Sequence, residues 1–397
     1  MHIDVLQRVS TGRPNLTAPT IPALPVFPPP PPPLAAVPFP LGWIYDHASA
    51  PIQYRATIEI AKLGDRVPPA FHFLPYGFAP AIELAVMQAA DGVWNNAMLT
   101  VPPQRSEGLE GVGTVPAVRR MLEYGWDRDS PPVYQARRIL FRLLAEDNDP
   151  ALLFELAPKV SSKGKVDEDL LRMTRQTLRE AAGAALAQSG FESDPRLRGA
   201  ARRTLDRMMR FLKSPVGGKP WIRIGNRQVL SPDAFPPSIY ALQMFSHMPL
   251  FRSEHYEGME LLYRWLTRAL PRQEQMQVVG RRIVPVPLFV MGDRLPHRNA
   301  VEEDVPAALA WLELVARMGY LRRNENWTKM YERFVDDCGR DGVWHPHRGM
   351  AMPRSSNAWV WSVYPLEPSH SGDERWADVT FRIGLIGRLS GRPIQLL

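Results

Sequence analysis

The chain is poor in the residues and patterns that most often reveal a chemistry. Cys338 is the single cysteine among 397 residues. No intrachain disulfide can form, and a cysteine-based metal cluster or covalent haem attachment is excluded. No apolar stretch approaches the roughly 18–20 residues that span a bilayer. The longest candidate, Ile283 to Met291, is interrupted by Pro285 and Pro287. The opening residues, MHIDVLQRVSTGRPN, lack the basic-then-apolar order of a secretory leader. The nucleotide-binding signatures G-x-x-x-x-G-K-[ST] and G-x-G-x-x-G are missing, as are the nucleophile elbow G-x-S-x-G and the metallopeptidase motif H-E-x-x-H. GVGTVP at 111–116 is glycine-rich but has no lysine. These gaps predict a soluble or membrane-extrinsic protein without a cofactor, cytoplasmic or peripheral on a membrane complex.

What the chain does have is apolar bulk, positive charge and proline. It is 45% hydrophobic and 22% charged, with a formal net charge of +7. A large core can therefore be buried, and an acidic protein or anionic membrane face is an attractive partner. Nucleic acid is disfavoured, because no recognised binding module is present. Prolines crowd residues 14–40 and run without a break from Pro28 to Pro33. Proline fixes φ and removes the amide donor, so this stretch is predicted to be polyproline II or irregular. At about 3.1 Å per residue, the unbroken run makes a stiff rod of roughly 19 Å. Apolar side chains along the arm, among them Phe27, Phe39 and Trp43, together with Pro30 in the rod, are expected to contact a partner.

From residue 51 onward the hydrophobic spacing is helical. Leu197, Ala201, Leu205, Met208 and Leu212 form one stripe of a helix over 195–213. Asp194 followed by Pro195 is a helix-start signal. Arg196, Arg203, Arg207 and Arg210 lie among the basic residues off that stripe, as a solvated face or as an anion-docking face. Three segments then repeat one pattern. VPAVRRMLEYGW (115–126) precedes PPVYQARRILFRLL (131–144), PPSIYALQMFSHMPLF (236–251) precedes HYEGMELLYRWLTRAL (255–270), and VPAALAWLELVARMGY (305–320) precedes NWTKMYERFVDDC (326–338). Each reads as an antiparallel αα-hairpin. The tetrapeptide DGVW occurs at 91–94 and again at 341–344, after a helical stretch both times. It is predicted to be a structural corner, with glycine ending the helix and tryptophan packing between hairpins. Repeated hairpins imply an all-α array, either a toroid or a curved solenoid, almost wholly helical after residue 51 with at least four antiparallel hairpins and no substantial sheet between 115 and 345.

A proline-started helix, a Gly-Tyr or Gly-Trp end, a second helix and then Asp-Gly-x-Trp resembles the repeat of α/α toroids. These include class II terpenoid cyclases and the β subunits of protein prenyltransferases. The resemblance implies two places to look for chemistry. The cyclase acid motif would fall near Glu302, Glu303 and Asp304, although acids before Pro306 also suit an ordinary helix N-terminus. The prenyltransferase zinc site would use Asp336 and Cys338, with His370 or with His345 and His347. Against zinc, Cys338 continues the apolar stripe of its own helix and reads as a packing residue.

The domain expectation is an extended proline-rich arm at 1–50, a hairpin-repeat domain at 51–350, and an irregular Trp/Pro-rich segment at 351–397. The functional expectation is a non-catalytic scaffold subunit that docks other protein subunits through its arm and basic faces, on a bioenergetic membrane complex for instance. The alternative is a toroid enzyme acting on an apolar, isoprenoid-like substrate.

Overall fold

The computed structural model describes residues 35–103, 108–145, 161–162, 165–166, 168–345 and 351–397. The chain divides into two units, Met1–Leu34 and Ala35–Leu397, and every described residue belongs to the second. Phe27 and Pro30 therefore lie outside the described residues.

The second unit begins earlier than the proline content suggests. Strand β1 (Val37–Phe39) leads into α1 (Leu41–His47) and α2 (Ala50–Arg55), the last continued by a π turn at Ala56–Ile60. α3 (Ala79–Val86), α4 (Thr114–Glu123), α5 (Pro131–Ala145), α6 (Glu168–Gln188) and α7 (Pro195–Lys213) follow. Then come β2 (Trp221–Ile224), β3 (Arg227–Leu230), α8 (Ile239–Ser246), α9 (Tyr256–Leu266), β4 (Met276–Val279) and β5 (Arg282–Pro285). The last long elements are α10 (Val305–Arg317), α11 (Glu325–Asp336), α12 (Ala377–Leu389) and β6 (Ile394–Leu396). The described chain is mainly helical, as the spacing predicts.

Burial sorts the helices into two kinds. Almost every residue of α4, α8, α10 and α12 is buried, so these helices have neighbours on all sides. α7 and α11 bury one stripe and turn charged residues to water. α4 packs on α6, α6 on α8, α8 on α10, α10 on α12, and α12 on α2 with its π turn. α2 meets α4 through Tyr54, which lies against Gly125, and through an Arg55–Glu123 ion pair.

The two DGVW corners are built alike. Gly92 and Gly342 take φ of 91° and 78°, the left-handed region that glycine permits. Val93 N donates to Asp91 Oδ1 at 3.2 Å, and Val343 N to Asp341 Oδ1 at 3.1 Å. Ala89 N donates to Val93 O and Gly339 N to Val343 O, both at 2.9 Å. Trp94 N donates to Thr114 Oγ1 at 3.2 Å and Trp344 N to Thr380 Oγ1 at 3.1 Å, so each corner is tied to an interior helix. Both indoles are buried, at 0% and 2% exposure.

Three expectations are corrected. The chain after residue 51 is not almost wholly helical, because a four-stranded sheet lies within 115–345. β2–β3 and β4–β5 are antiparallel hairpins, joined in parallel where Leu230 meets Gln277. Their turns, Gly225-Asn226 and Gly280-Arg281, place glycine at φ 57° and 58°, the geometry of tight hairpins. Residues 35–50 are not a free arm: β1 pairs in parallel with β6, Phe39 opposite Leu396. Phe39 is a core residue rather than a partner contact, 1% exposed with its ring on Gly384, where any larger side chain would collide. Finally, 351–397 is not all irregular, because α12 is a buried helix at the heart of the fold.

Two outcomes follow. Trp94→Ala and Trp344→Ala each lower stability by about 3–5 kcal/mol in denaturant unfolding, the range for emptying a buried indole site. A chain starting at Ile44 melts well below one starting at Ala35, because it lacks Val37 and Phe39; equal melting temperatures would return these residues to the arm.

Candidate functional site

The most concentrated chemistry in the described residues lies where the interior helices face one another. Glu123 on α4 is 3% exposed, and its Oε2 accepts from Arg55 of α2 and, at 2.7 Å, from Arg382 Nη2 of α12. Arg382 Nη1 donates to Glu313 Oε2 of α10 at 2.6 Å, and Glu313 Oε1 accepts from Arg317 Nε at 2.9 Å. Glu123 Oε1 accepts from Gln188 Nε2 of α6 at 2.7 Å. Gln188 Oε1 in turn accepts from Arg119 Nε at 2.8 Å, and Arg119 Nη1 donates to Gln243 Oε1 of α8 at 2.5 Å. One unbroken chain of hydrogen bonds thus draws a polar side chain from each of α2, α4, α6, α8, α10 and α12.

Electrostatics explains why these groups stay charged. Burial alone would raise the Glu123 carboxyl, but the Arg55 and Arg382 guanidinium groups override it and hold it well below the usual range. Burial likewise opposes ionisation of Glu313, and Arg382 with Arg317 lowers it. His247, desolvated beside Arg317, is pushed down to about 3 and stays neutral. Charge-assisted bonds of this length are strong, yet the desolvation cost of each ion is comparable. The network therefore selects one arrangement of helices more than it adds net stability.

One helical turn toward the start of α12, the character changes. Asp378 is fully buried and accepts from the backbone N–H of Leu366 and, at 2.8 Å, of Glu367. Burial raises its pKa. Glu367 accepts from Ser49 N at 2.7 Å and from Ser369 N at 3.1 Å; burial pushes its carboxyl up to about 7. Arg120 is 4% exposed, stacks 4.7 Å from the Trp361 ring and 5.3 Å from Tyr124, and its Nε and Nη1 have no hydrogen-bond partner.

The residues singled out in the sequence do not converge on either place. Glu302 pairs with Arg298 at 3.2 Å and Arg333 at 3.0 Å on the surface, and Glu303 is exposed. Asp304 caps α10 through Ala307 N at 2.9 Å, and its other oxygen accepts from Ser355 Oγ and Asn357 Nδ2, both at 2.8 Å. It pins a loop to a helix start. Asp336 is exposed. Cys338 is half-buried, its Sγ–H donates to Phe334 O at 3.4 Å, and burial, then the neighbouring aspartates, push the thiol up to about 12. His345 lies 3.4 Å from Asp341, and His370 Nδ1 lies 2.9 Å from Met352 Sδ. His347 lies outside the described residues. Among the described residues no three His, Cys, Asp or Glu side chains are placed to hold a metal ion.

The basic face of α7 is partly neutralised. Arg196 pairs with Asp194 at 2.8 Å and Arg207 with Glu180 at 2.5 Å, while Arg203 Nη2 donates to Leu144 O at 3.5 Å. Arg210 is exposed. Trp43 is half-buried and stacks on His47 at 4.8 Å.

The ion network was missed because its members sit far apart in sequence. A signal was nonetheless present: Glu313 is the lone charge inside the apolar run VPAALAWLELV, and Asp378 and Arg382 are the two charges inside ADVTFRIGLIG.

Glu123→Gln leaves two buried guanidinium groups short of a counter-charge and costs about 3–5 kcal/mol in chemical unfolding. The carboxyls of Glu123 and Glu367 impose opposite pH dependences. Glu123, with its folded pKa depressed, contributes stability that is present above its unfolded value near 4.5 and lost as pH falls. Glu367, raised from 4.5 to about 7, contributes stability that is present below 4.5 and lost as pH rises through 7. Glu367→Gln therefore flattens the loss between those values, by on the order of 1–2 kcal/mol after solvent screening; an unchanged pH profile would contradict the raised carboxyl.

Comparison of the chain with protein-family models, with curated proteins and with solved structures found no match.

Proposed function

We propose that the chain is a non-catalytic structural subunit, a helical toroid that docks membrane-extrinsically onto a larger protein assembly. Two things support the toroid. The interior helices meet in the cyclic order α2, α4, α6, α8, α10, α12 and back to α2. The termini of the second unit are joined by the β1–β6 ladder.

The observation that carries the non-catalytic reading is the ion network itself. A toroid enzyme for an isoprenoid-like substrate needs an apolar central cavity and a free acid or metal. Here the centre-facing positions hold Arg55, Glu123, Glu313 and Arg382, at 4%, 3%, 7% and 2% exposure, paired with one another. Such a centre suits a rigid body that presents surfaces. The proline-rich stretch and the positive charge supply means of docking other subunits.

A toroid enzyme is the second reading, and Glu367 favours it. A carboxyl with a pKa of about 7, close to buried Asp378, has the properties of a general acid.

Native-size separation of gently prepared host extracts decides between them. The chain is expected to run with a reproducible set of other subunits, and removal of residues 1–34 is expected to weaken that association without lowering the melting temperature. A chain that runs alone and converts an isoprenoid substrate, with the conversion abolished by Glu367→Gln, would overturn the structural reading.

A further inference from the structure

The sheet of β2 to β5 turns one face partly to water. Trp221 pairs with Leu230, Leu230 meets Gln277, and Gln277 pairs with Val284, so these four share one face. That face is anchored to the body: Leu230 is 0% and Gln277 4% exposed, and Gln277 Nε2 donates to Ala234 O at 2.7 Å. The opposite face carries Ile222, Ile224 and Ile283, which are 38%, 41% and 37% exposed. Arg227 lies across from Ile224 on the same face, and Arg281 is exposed at the β4–β5 turn beside it; Val229, across from Ile222, is covered at 1% exposure, and Arg223 alternates to the anchored face, where its Nε donates to Gly225 O at 3.1 Å. The two hairpins, WIRIGNRQVL and MQVVGRRIVP, contain Arg223, Arg227, Arg281 and Arg282 and no acidic residue. Among the described residues no helix is long and apolar enough to cross a membrane.

We infer that this face docks on an anionic lipid bilayer. The inference rests on the membrane-extrinsic reading above and deepens it by naming the surface and its occupant. Charge complementarity selects an anionic partner. The isoleucines select lipid over nucleic acid, because a phosphate backbone offers them nothing, whereas the boundary between headgroups and acyl chains accepts both side-chain types together. The geometry suits that boundary: isoleucines from two hairpins point one way, and arginines at the turns reach the phosphates beside them.

The test is sedimentation of the full chain with vesicles of phosphatidylcholine alone and of phosphatidylcholine mixed with phosphatidylglycerol. The chain is expected to pellet with the anionic vesicles and to stay in solution with the neutral ones. Arg227→Ala with Arg281→Ala weakens anionic-vesicle binding about 25-fold, roughly fivefold per arginine. Ile222→Ser with Ile224→Ser abolishes the binding that persists at high salt, where charge is screened. All four side chains are exposed, so unchanged melting shows that the variants fold. Failure to pellet with anionic vesicles overturns the lipid assignment and leaves an acidic protein as the occupant. Binding that neither variant weakens places the contact on another surface and also overturns it. A chain that binds vesicles through this face yet runs alone in extracts loses the scaffold reading and keeps the docking face; the converse pair of results does the reverse.

Discussion

The fold depends on the carboxylate of Glu123. It lies between the guanidinium groups of Arg55 and Arg382 and also accepts from Gln188, so α2, α4, α6 and α12 converge on one side chain. A buried carboxylate with no partners would be intolerable, and two buried arginines without it equally so. The helices that carry these groups must therefore arrive together. Apolar burial provides most of the driving force for folding, but it is directionless. The ion network supplies direction, because its hydrogen bonds hold only over a narrow range of distance and angle.

The remaining features elaborate this arrangement. The DGVW corners hold Trp94 and Trp344 and tie themselves to Thr114 of α4 and Thr380 of α12. Asp304 and Asp378 spend their oxygens on loop amides and side chains, fixing the loop at 355–367 across the ends of α10 and α12. The same economy of polar groups argues for a structural part. The buried charges of Arg55, Glu123, Glu313 and Arg382 are engaged with each other.

Much of the architecture was legible in the residues. The stripe Leu197 to Leu212, the proline at Pro306 and the paired DGVW corners each rest on local spacing, and local spacing survives in the structure. What was not legible depended on contacts remote in sequence. Phe39 follows a proline run and looks like part of an arm, yet its strand finds a partner at Leu396, at the opposite end of the chain. The β2–β3 turn carries a Gly-Asn signal, but WIRI and RQVL are too short to outweigh the helical pattern around them. Glu302, Glu303 and Asp304 drew attention as a cluster, whereas Glu123, Glu313 and Asp378 are single acids on three different helices, far apart in sequence. Cys338 and its neighbouring acids look like metal ligands only in sequence. Cys338 lies just past the end of α11, where its thiol donates to Phe334 O, while Asp336, the last helical residue, faces water.

The central claim is that the interior charges form one cooperative network joining the helices. A double-mutant cycle between Arg55 and Glu313 tests it most directly, because no hydrogen bond connects them except through Glu123 and Arg382. The unfolding free energies of Arg55→Met, Glu313→Gln and the double variant give the coupling. The account predicts non-additivity of about 0.5–3 kcal/mol, the range for members of one network. Additivity within about 0.3–0.5 kcal/mol would mean that the charges act as separate pairs, and would contradict it.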